Sequence, residues 1–384
     1  MNDKKVKILC VGIGGYAHVY IRSIMDNPKP EYGIVGAVDP YATLSPFYER
    51  IQSENIPIYN DMEEFFAEHT ADLVIISTPI HCHTKHILSA LNHGCNVLCE
   101  KPLSGVSADE DLIEEAAQRA GKFVMIGYQW SYSTAIGKLK ADVLSGLFGE
   151  PKFLKTLILW PRKKDYFTRG SGWAGKLTAK DGTVINDSVA ANACAHYLHN
   201  MLYVCGDDGL AAEPYDVKAD LLRVNDIENF DNSFISFSLK NGAKCLFIAG
   251  HSTDAIKQPA FEYRFEKATI KFSEDTPDII AYFNDGTEKH YGSPDSDGHP
   301  KKGFIAIEGC MNPDFKPSCT HKTAAAHTRL IEAVQTNAIY SVKDEFIKEK
   351  DNGLYVPGLY DLMVRCYNDE ILLRDSGEME KLVK

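Results

Sequence analysis

The sequence lacks the features that would tie the chain to a membrane or to nucleic acid. None of its apolar runs is long enough to cross a bilayer, and Met-Asn-Asp-Lys-Lys at its start leads into a strand without an apolar signal region. No basic stripe interleaves with aromatic residues, and the formal net charge is -12. These absences favour a cytoplasmic protein whose partner is a small molecule, with no nucleic acid and no membrane.

Paired cysteine spacing is also missing. The ten cysteines lie mostly within apolar runs and contain no CxxC pair, which argues against a disulfide framework and against a zinc ribbon. With 384 residues, 44% of them hydrophobic and 24% charged, the chain is long enough for two domains that each bury a core. We therefore expect reduced core cysteines and two globular domains.

A glycine-rich turn follows the first predicted strand, residues 6–11, and precedes a helical run over residues 18–25. Its pattern is GxGxxA, with glycines at 12, 14 and 15 and alanine at 17. Gly12 permits a tight turn, Gly14 lets the backbone approach a pyrophosphate, and Ala17 permits close helix packing. Gly15 adds backbone freedom, and the helix N-terminus supplies N–H donors. This context predicts a dinucleotide site.

An acid follows the second predicted strand, residues 32–38. The carboxylate of Asp39 in this place accepts hydrogen bonds from ribose hydroxyls and repels a 2'-phosphate. Pro40 and Tyr41 supply no cation to offset that repulsion, so the sequence favours NAD over NADP. The alternative is that Asp39 only starts an Asp-Pro turn.

Strands and helices alternate through residue 130, which predicts a doubly wound Rossmann domain with a parallel sheet of six strands over residues 1–130. Thr78 and Pro79 end the fourth strand. The fifth strand ends at Glu100-Lys101-Pro102, where the proline holds the preceding backbone extended. Ligands of such sheets bind outside the carboxyl ends of the strands, so Lys101 faces the predicted crevice. The alternative is that Lys101 only pairs with Glu100.

Consecutive strands with hairpin signals replace this alternation in residues 131–384. Turns at Asn241-Gly242 and Asp285-Gly286 predict an α+β domain with an open, mostly antiparallel sheet. A helix over residues 188–204 should cover one face of this sheet. The other face is available to a second subunit in a homodimer or homotetramer. Residues 293–319 are predicted to form a long loop, and helices at 323–336 and 359–374 to brace the first domain.

The first domain contains a set of short motifs whose order and spacing are typical of one protein family. They are the glycine turn, Asp39, Thr78-Pro79 with His83 after it, GCNVLCEKP at residues 94–102 and Gly-Tyr-Gln at residues 127–129. This set resembles the glucose-fructose oxidoreductase, inositol dehydrogenase and MocA (Gfo/Idh/MocA) family. The resemblance implies that Thr78, Pro79, His83 and Glu100 lie at the cofactor and that Lys101 lies beside the nicotinamide and the substrate hydroxyl. It also implies a Lys-Pro bond that is often cis and a substrate contact from Gln129.

Three side chains at spacing i, i+4 and i+7 share one face of the helix after Asp187: Asn192, His196 and His199. The family usually has aspartate, histidine and aspartate at these places, so only the histidine is retained. We predict that His196 is the catalytic base, that Asn192 orients it and that His199 contacts substrate. Asp187 is predicted to cap the helix on its opposite face.

The histidines have two other interpretations. His196 could be an ordinary core imidazole, and a metal at His196 and His199 has no third ligand nearby, so no metal is predicted.

A basic and aromatic stretch contains Trp160, Arg162, Tyr166, Arg169 and Trp173. It is predicted to line the substrate site, since rings stack on sugars and guanidinium groups bind hydroxyls or carboxylates. The alternative is a solvated connecting loop.

Together these features predict an NAD-dependent oxidoreductase that transfers a hydride between the nicotinamide and a secondary alcohol of a sugar, glycoside or polyol. One alternative is a glycosidase or lyase that retains NAD and oxidises a ring carbon only transiently. Another is a dinucleotide-binding sensor without chemistry, which the missing aspartate at position 192 would favour.

Overall fold

A computed structural model describes residues 5–169 and 172–384, which form two compact units. The first unit comprises residues up to 104, residues 108–132 and residues 297–325, and the second comprises residues 105–107, 133–296 and 326–384. The predicted boundary lies near residue 130, and the longest stretch of the second unit begins at residue 133. The prediction that all of residues 131–384 form the second domain is wrong for 297–325, which pack with the first unit.

Strands and α-helices are numbered separately, in chain order. The strands are β1 Val6–Val11, β2 Tyr32–Val38, β3 Ile58–Tyr59, β4 Leu73–Ile76, β5 Asn96–Cys99, β6 Val124–Ile126, β7 Pro151–Leu159, β8 Pro214–Arg223, β9 Asn232–Leu239, β10 Lys244–Gly250, β11 Lys257–Phe265, β12 Ala268–Ser273, β13 Thr276–Phe283, β14 Glu288–His290, β15 Ile339–Ser341, β16 Lys348–Lys350 and β17 Gly353–Tyr355. The α-helices are α1 His18–Asp26, α2 Tyr48–Ser53, α3 Met62–Glu68, α4 His83–Asn92, α5 Asp109–Ala120, α6 Thr134–Leu144, α7 Lys164–Thr168, α8 Ala195–Val204, α9 Lys301–Met311, α10 His321–Gln335, α11 Leu359–Asp369 and α12 Met379–Leu382.

The first unit is built on a parallel sheet of six strands in the order β3-β2-β1-β4-β5-β6. This order is that of a Rossmann fold, with the reversal of strand order between β1 and β4. All four residues of β4 are buried, as expected for a strand covered on both faces. The predicted doubly wound sheet is confirmed.

Helix α9 is not predicted by the sequence, because residues 293–319 are rich in glycine, proline and aspartate. It packs against β1, β4 and β5 of the first sheet, burying Ala306 and Ile307. The short apolar run around these residues is the sequence signal for this helix. Among the described residues, the C-terminal half thus contributes α9 and the first five residues of α10 to the first unit.

The second unit contains a sheet of nine strands in the order β14-β13-β12-β11-β7-β10-β9-β8-β15. Its neighbours are antiparallel except for the pairs β7 with β10 and β8 with β15. The turns of both predicted hairpins are confirmed, with left-handed φ values of 92° at Gly242 and 86° at Gly286. Strands β16 and β17 form a separate small sheet.

Helices of the second unit contact both faces of its sheet. Helix α8 packs on β7, as predicted. Helix α11 packs on β7 and β10, where Leu359, Met363 and Cys366 join a buried cluster that includes Leu157 and Ile248. The face that was predicted to await a second subunit is therefore covered, over β7 and β10, by the chain's own α11. Oligomerisation through this sheet stays a prediction.

No helix among the described residues is both long and apolar enough to span a bilayer.

Candidate functional site

The glycine turn after β1 has the shape that a dinucleotide requires. Gly12 has φ of 78°, and a Cβ there would lie 2.9 Å from Thr78 Cγ2 and 3.0 Å from the Ser77 carbonyl, so only glycine fits. At Gly14 and Gly15 an added Cβ would meet no atom within 4 Å. A short 3-10 turn, Gly15–Ala17, leads into α1. The turn leaves open room for a pyrophosphate at the start of the helix.

Asp39 is held at the carboxyl end of β2 by backbone donors. Its Oδ2 accepts from the Ile13 N–H at 2.9 Å, and its Oδ1 accepts from the Tyr41 N–H at 2.9 Å. The carboxylate lines a pocket of about 560 Å³ together with Thr43 and Gln52. In the described part of the chain it forms no ion pair with a cation. The turn and this acid therefore fit NAD: the open glycine turn would take the pyrophosphate, and Asp39 the ribose hydroxyls.

The side chain of Glu100 points into the first unit, where its partner is a lysine from α9. Glu100 Oε1 accepts from Lys302 Nζ at 2.6 Å and from the Tyr20 hydroxyl at 2.5 Å. A Cβ on Gly127 would lie 2.9 Å from the same oxygen, so glycine is needed beside the carboxylate. Glu100 therefore binds the buried ammonium of Lys302. It does not serve only as a partner for Lys101.

Lys302 is enclosed by polar and aromatic groups. It is 1% exposed, donates also to the Gly127 carbonyl at 2.9 Å and lies 4.6 Å from the centroid of the Tyr16 ring. Burial lowers the pKa of Lys302, and the Glu100 carboxylate opposes that shift. Sequence reasoning missed this residue because 202 positions separate it from Glu100 and no local pattern marks it.

His83 joins the two loops that end β4 and β5. Its ring nitrogens lie 2.9 Å from the Thr78 carbonyl and 2.8 Å from the Pro102 carbonyl. Burial lowers the pKa of His83, and both carbonyls and Glu100 offset part of that shift. At 1% exposure, His83 fixes the position of these loops. The bond between Lys101 and Pro102 is cis, as the resemblance implied.

The remaining predicted groups of the first unit lie at the same end of the sheet or follow β6. Pro79 precedes a 3-10 turn, Ile80–Cys82, and the Thr78 hydroxyl lies 3.1 Å from His86 Nδ1. Gln129 begins a 3-10 helix, Gln129–Tyr132, directly after β6. Lys101 and Gln129 are partly exposed, so both side chains have access to solvent.

In the second unit, the predicted helix over residues 188–204 is two segments. Residues Val189–Ala193 form a π-helix, and α8 follows it. Ser188 caps the first segment by accepting from the Ala191 N–H at 3.1 Å. The predicted capping role of Asp187 is therefore wrong. Because a π-helix changes the rotation per residue, the argument that placed Asp187 on the opposite face also fails.

Asp187 instead binds the side chain of Asn192. Its Oδ1 accepts from Asn192 Nδ2 at 2.9 Å, and its Oδ2 accepts from the Gly175 N–H at 2.6 Å. Asp187 is 2% exposed. An acid five residues earlier is thus in contact with the asparagine at position 192. The sequence signal for it is the acid just before the helix, a position that also suits a cap.

The two histidines of this stretch have different environments. His199 is 1% exposed, and its ring stacks at 5.9 Å on Tyr203. Burial lowers the pKa of His199 well below its usual range, and His327 and Lys140 lower it further. The structure thus gives His199 a core environment. His196 is less buried, with its ring 6.4 Å from Tyr197. Among the described residues no three His, Cys, Asp or Glu side chains could jointly hold a metal ion.

The predicted aromatic and basic stretch packs on itself. Arg162 lies over the rings of Trp160 and Tyr166, and Arg169 over the rings of Tyr166 and Trp173. The Trp160 ring also contacts Tyr197, the neighbour of His196, at 5.5 Å between centroids. The structure therefore brings the five predicted substrate residues together and connects them through Tyr197 to the histidine segment.

The first unit has a counterpart in a known protein family. Residues 6–128 match the model of the Gfo/Idh/MocA family, described as an oxidoreductase family with an NAD-binding Rossmann fold. A 1-carboxy-3-chloro-3,4-dihydroxycyclohexa-1,5-diene dehydrogenase of Comamonas testosteroni is 32% identical over 26% of this chain and 25% of its own length. An inositol 2-dehydrogenase of Rhodococcus jostii is 28% identical over 39% of this chain and 40% of its own. The chain thus spans less than half of the length of these two relatives.

A solved structure extends the likeness of fold to most of the chain. The WlbA dehydrogenase from Bordetella pertussis, crystallised with NADH and UDP-GlcNAcA, has a TM-score of 0.72 with this chain. The two chains are 18% identical, and the match covers 88% of this chain and 96% of the other. At 18% identity the likeness is one of fold alone, and it covers most of this chain.

Proposed function

We propose that the whole chain is an NAD-dependent oxidoreductase acting on a secondary alcohol of a sugar, glycoside or polyol, because residues 6–128 match the model of the Gfo/Idh/MocA oxidoreductases. The observation that carries the proposal lies within the first unit. There the dinucleotide turn, Asp39 and Lys101 all follow the carboxyl ends of strands of one parallel sheet. In this fold that edge is where cofactor and substrate meet.

Lys101 has the role of a positioned cation. When bound, NAD accepts or returns the hydride. The Lys101 ammonium polarises the substrate oxygen and stabilises the negative charge that develops on it. Glu100 would otherwise compete for this ammonium, but its Oε1 is bound by Lys302 and Tyr20. The pair Glu100–Lys302 therefore weakens the hold of the adjacent carboxylate on Lys101.

His196 has the role of the base that takes the hydroxyl proton. Asn192 orients its imidazole, and the contact with Asp187 at 2.9 Å fixes the amide of Asn192. The buried carboxylate of Asp187 is held at the Asn192 amide, in the same segment as His196. These roles are part of the proposal, as is the contact of Gln129 with substrate.

The test is turnover on a panel of sugars, glycosides, inositols and uronates, followed both as NADH formed and as product. On a substrate found this way, Lys101→Ala and His196→Ala should each lower kcat at least about a hundredfold. The affinity for NAD should stay within a few fold, because neither substitution alters the dinucleotide turn. A matched control is Lys85→Ala, which removes a lysine from α4 of the same unit and should leave kcat unchanged.

Three results would contradict the proposal or part of it. NAD binding without turnover on the whole panel would favour a sensor. Product without NADH would favour transient oxidation in place. Wild-type rates in Lys101→Ala would remove that lysine from the chemistry.

A further inference from the structure

Arg162 carries a positive charge that no acid of its own unit neutralises among the described residues. Its guanidinium carbon lies 5.5 Å from the centroid of the Trp160 ring and 5.1 Å from that of Tyr166. Its Nε is buried without a hydrogen-bond partner. Over residues 5–169 and 172–384 the guanidinium forms no ion pair with a carboxylate. A buried polar atom without a partner is unfavourable, and the side chain as a whole is partly exposed, so an anion can reach this guanidinium.

A second guanidinium lies over the Tyr166 ring, which the first guanidinium also contacts. The guanidinium carbon of Arg169 is 3.6 Å from the centroid of the same Tyr166 ring and 5.0 Å from that of Trp173. Arg169 also donates a hydrogen bond to the Tyr166 carbonyl, which fixes its position. In the part of the chain that the structure describes, Arg169 has no carboxylate partner either. Two like charges near one ring repel each other, and an anion bound close to them reduces that repulsion.

The neighbouring acids are engaged elsewhere. Asp187 accepts from Gly175 and Asn192, and Asp165 accepts from the Asn352 side chain at 3.0 Å. Nδ1 of His251 lies 2.8 Å from the Trp160 carbonyl. Burial and the two arginines lower the pKa of His251 to about 3, so it is neutral at physiological pH. Hydrogen bonds from neutral groups leave the carboxylates of Asp187 and Asp165 charged, but among the described residues neither forms an ion pair with Arg162 or Arg169.

We propose that Arg162 and Arg169 form a binding site for an oxyanion of the substrate, either a carboxylate or a phosphoryl group. The inference rests on the proposed function and narrows the substrate to an anionic derivative of a sugar or polyol. A guanidinium binds such groups through two parallel N–H donors. The rings of Trp160 and Tyr166 hold the guanidinium of Arg162 in place and offer a face for the sugar ring.

The experiment is a binding titration read by tryptophan fluorescence, because two of the chain's three tryptophans, Trp160 and Trp173, lie at the proposed site. Glucuronate, glucose 6-phosphate and glucose are titrated into the full chain, with and without saturating NAD. At least one of the two anionic sugars should bind about tenfold or more tightly than glucose. Arg162→Gln should abolish that preference.

The matched control is Lys164→Gln, which removes the same charge from the same stretch. Lys164 is paired with Glu349 at 2.7 Å, so its loss should leave the preference unchanged. If Arg162→Gln lowers the thermal midpoint, Arg169→Gln repeats the test from the second guanidinium and should reduce the preference at least about threefold.

Preference for glucuronate supports a carboxylate ligand, and preference for glucose 6-phosphate supports a phosphoryl ligand. Equal binding of all three sugars overturns the proposal, as does an equal loss of preference in Lys164→Gln. The titration detects binding without turnover, so a chain that failed to transfer hydride could still pass it. Conversely, a chain without the preference could still be an oxidoreductase for neutral sugars.

Discussion

Each unit of the molecule places a long cationic side chain among aromatic rings, Lys302 in the first and Arg162 in the second. Lys302 lies over Tyr16 and is bound by the Glu100 carboxylate. Arg162 lies over Trp160 and Tyr166 but, within residues 5–169 and 172–384, has no carboxylate partner. The first cation is neutralised by the protein, and the second is available to a ligand. The buried pair of Lys302 and Glu100 thus holds the structure of the first unit, whereas the guanidinium of Arg162 can bind an anionic ligand.

The largest expected effect on stability comes from removing the carboxylate partner of Lys302, so that this lysine, like Arg162, has no ion pair. Glu100→Gln leaves the ammonium at 1% exposure without its counter-charge, which should cost about 3–5 kcal/mol of unfolding free energy. The loss is measured by urea denaturation. The double variant Glu100→Gln with Lys302→Met removes both charges and should recover most of it. A double variant no more stable than the single one would show that the charge imbalance is not the cause.

A smaller effect on stability is expected at His251, whose pKa is lowered by burial and by the nearby charges of Arg162 and Arg169. The folded pKa of about 3 lies below the ordinary value of 6.5, so the unfolded chain takes up the proton first as pH falls. Stability is complete above pH 6.5 and is lost progressively from pH 6.5 towards pH 3. Between pH 6.5 and pH 5 this loss is roughly 1.5 kcal/mol. His251→Gln should remove that part of the pH dependence in urea denaturation. An unchanged slope would mean that His251 is protonated in the folded chain.

The smallest expected effect is on the choice between NAD and NADP, and it concerns Asp39. Among the described residues no cation forms an ion pair with this carboxylate. Two backbone N–H groups bind this carboxylate, and repulsion of a 2'-phosphate should favour NAD over NADP at least about tenfold, or ~1.4 kcal/mol. Fluorescence titration with both cofactors measures the ratio, and Asp39→Asn should narrow it. Asp26→Asn is the control, because Asp26 pairs with Arg50 at 2.7 Å, away from the turn. Equal affinities in the wild type would remove Asp39 from the ribose site.

The sequence was informative where the determining interactions are local. Alternating elements, the glycine turn and Asp39 predicted the six strands and their cofactor, because each signal spans only a few residues. The aromatic and basic residues between Trp160 and Trp173 were likewise visible as a cluster. The partner of Glu100 was not, since Lys302 reaches it only through the packing of α9.

The error at Asp187 has a different cause. Counting residues at an ideal helical rotation placed this acid opposite Asn192, but the π-helix Val189–Ala193 alters the rotation. The contact at 2.9 Å is local in sequence, yet spacing alone could not predict it. Single π-turns leave no reliable pattern in one sequence, so the acid of the histidine segment becomes visible only in three dimensions.

The return of α9 to the first sheet affects the order of events during synthesis. Residues 6–128 leave the ribosome early, but β1, β4 and β5 must wait for the helix that covers them. Lys302 emerges 202 residues after Glu100, a delay of roughly 10–40 s at ordinary translation rates. During that interval the nascent sheet exposes an apolar face and holds a carboxylate whose cation has not been made. The Rossmann domain of this chain therefore completes its folding only after most of the second unit has been translated.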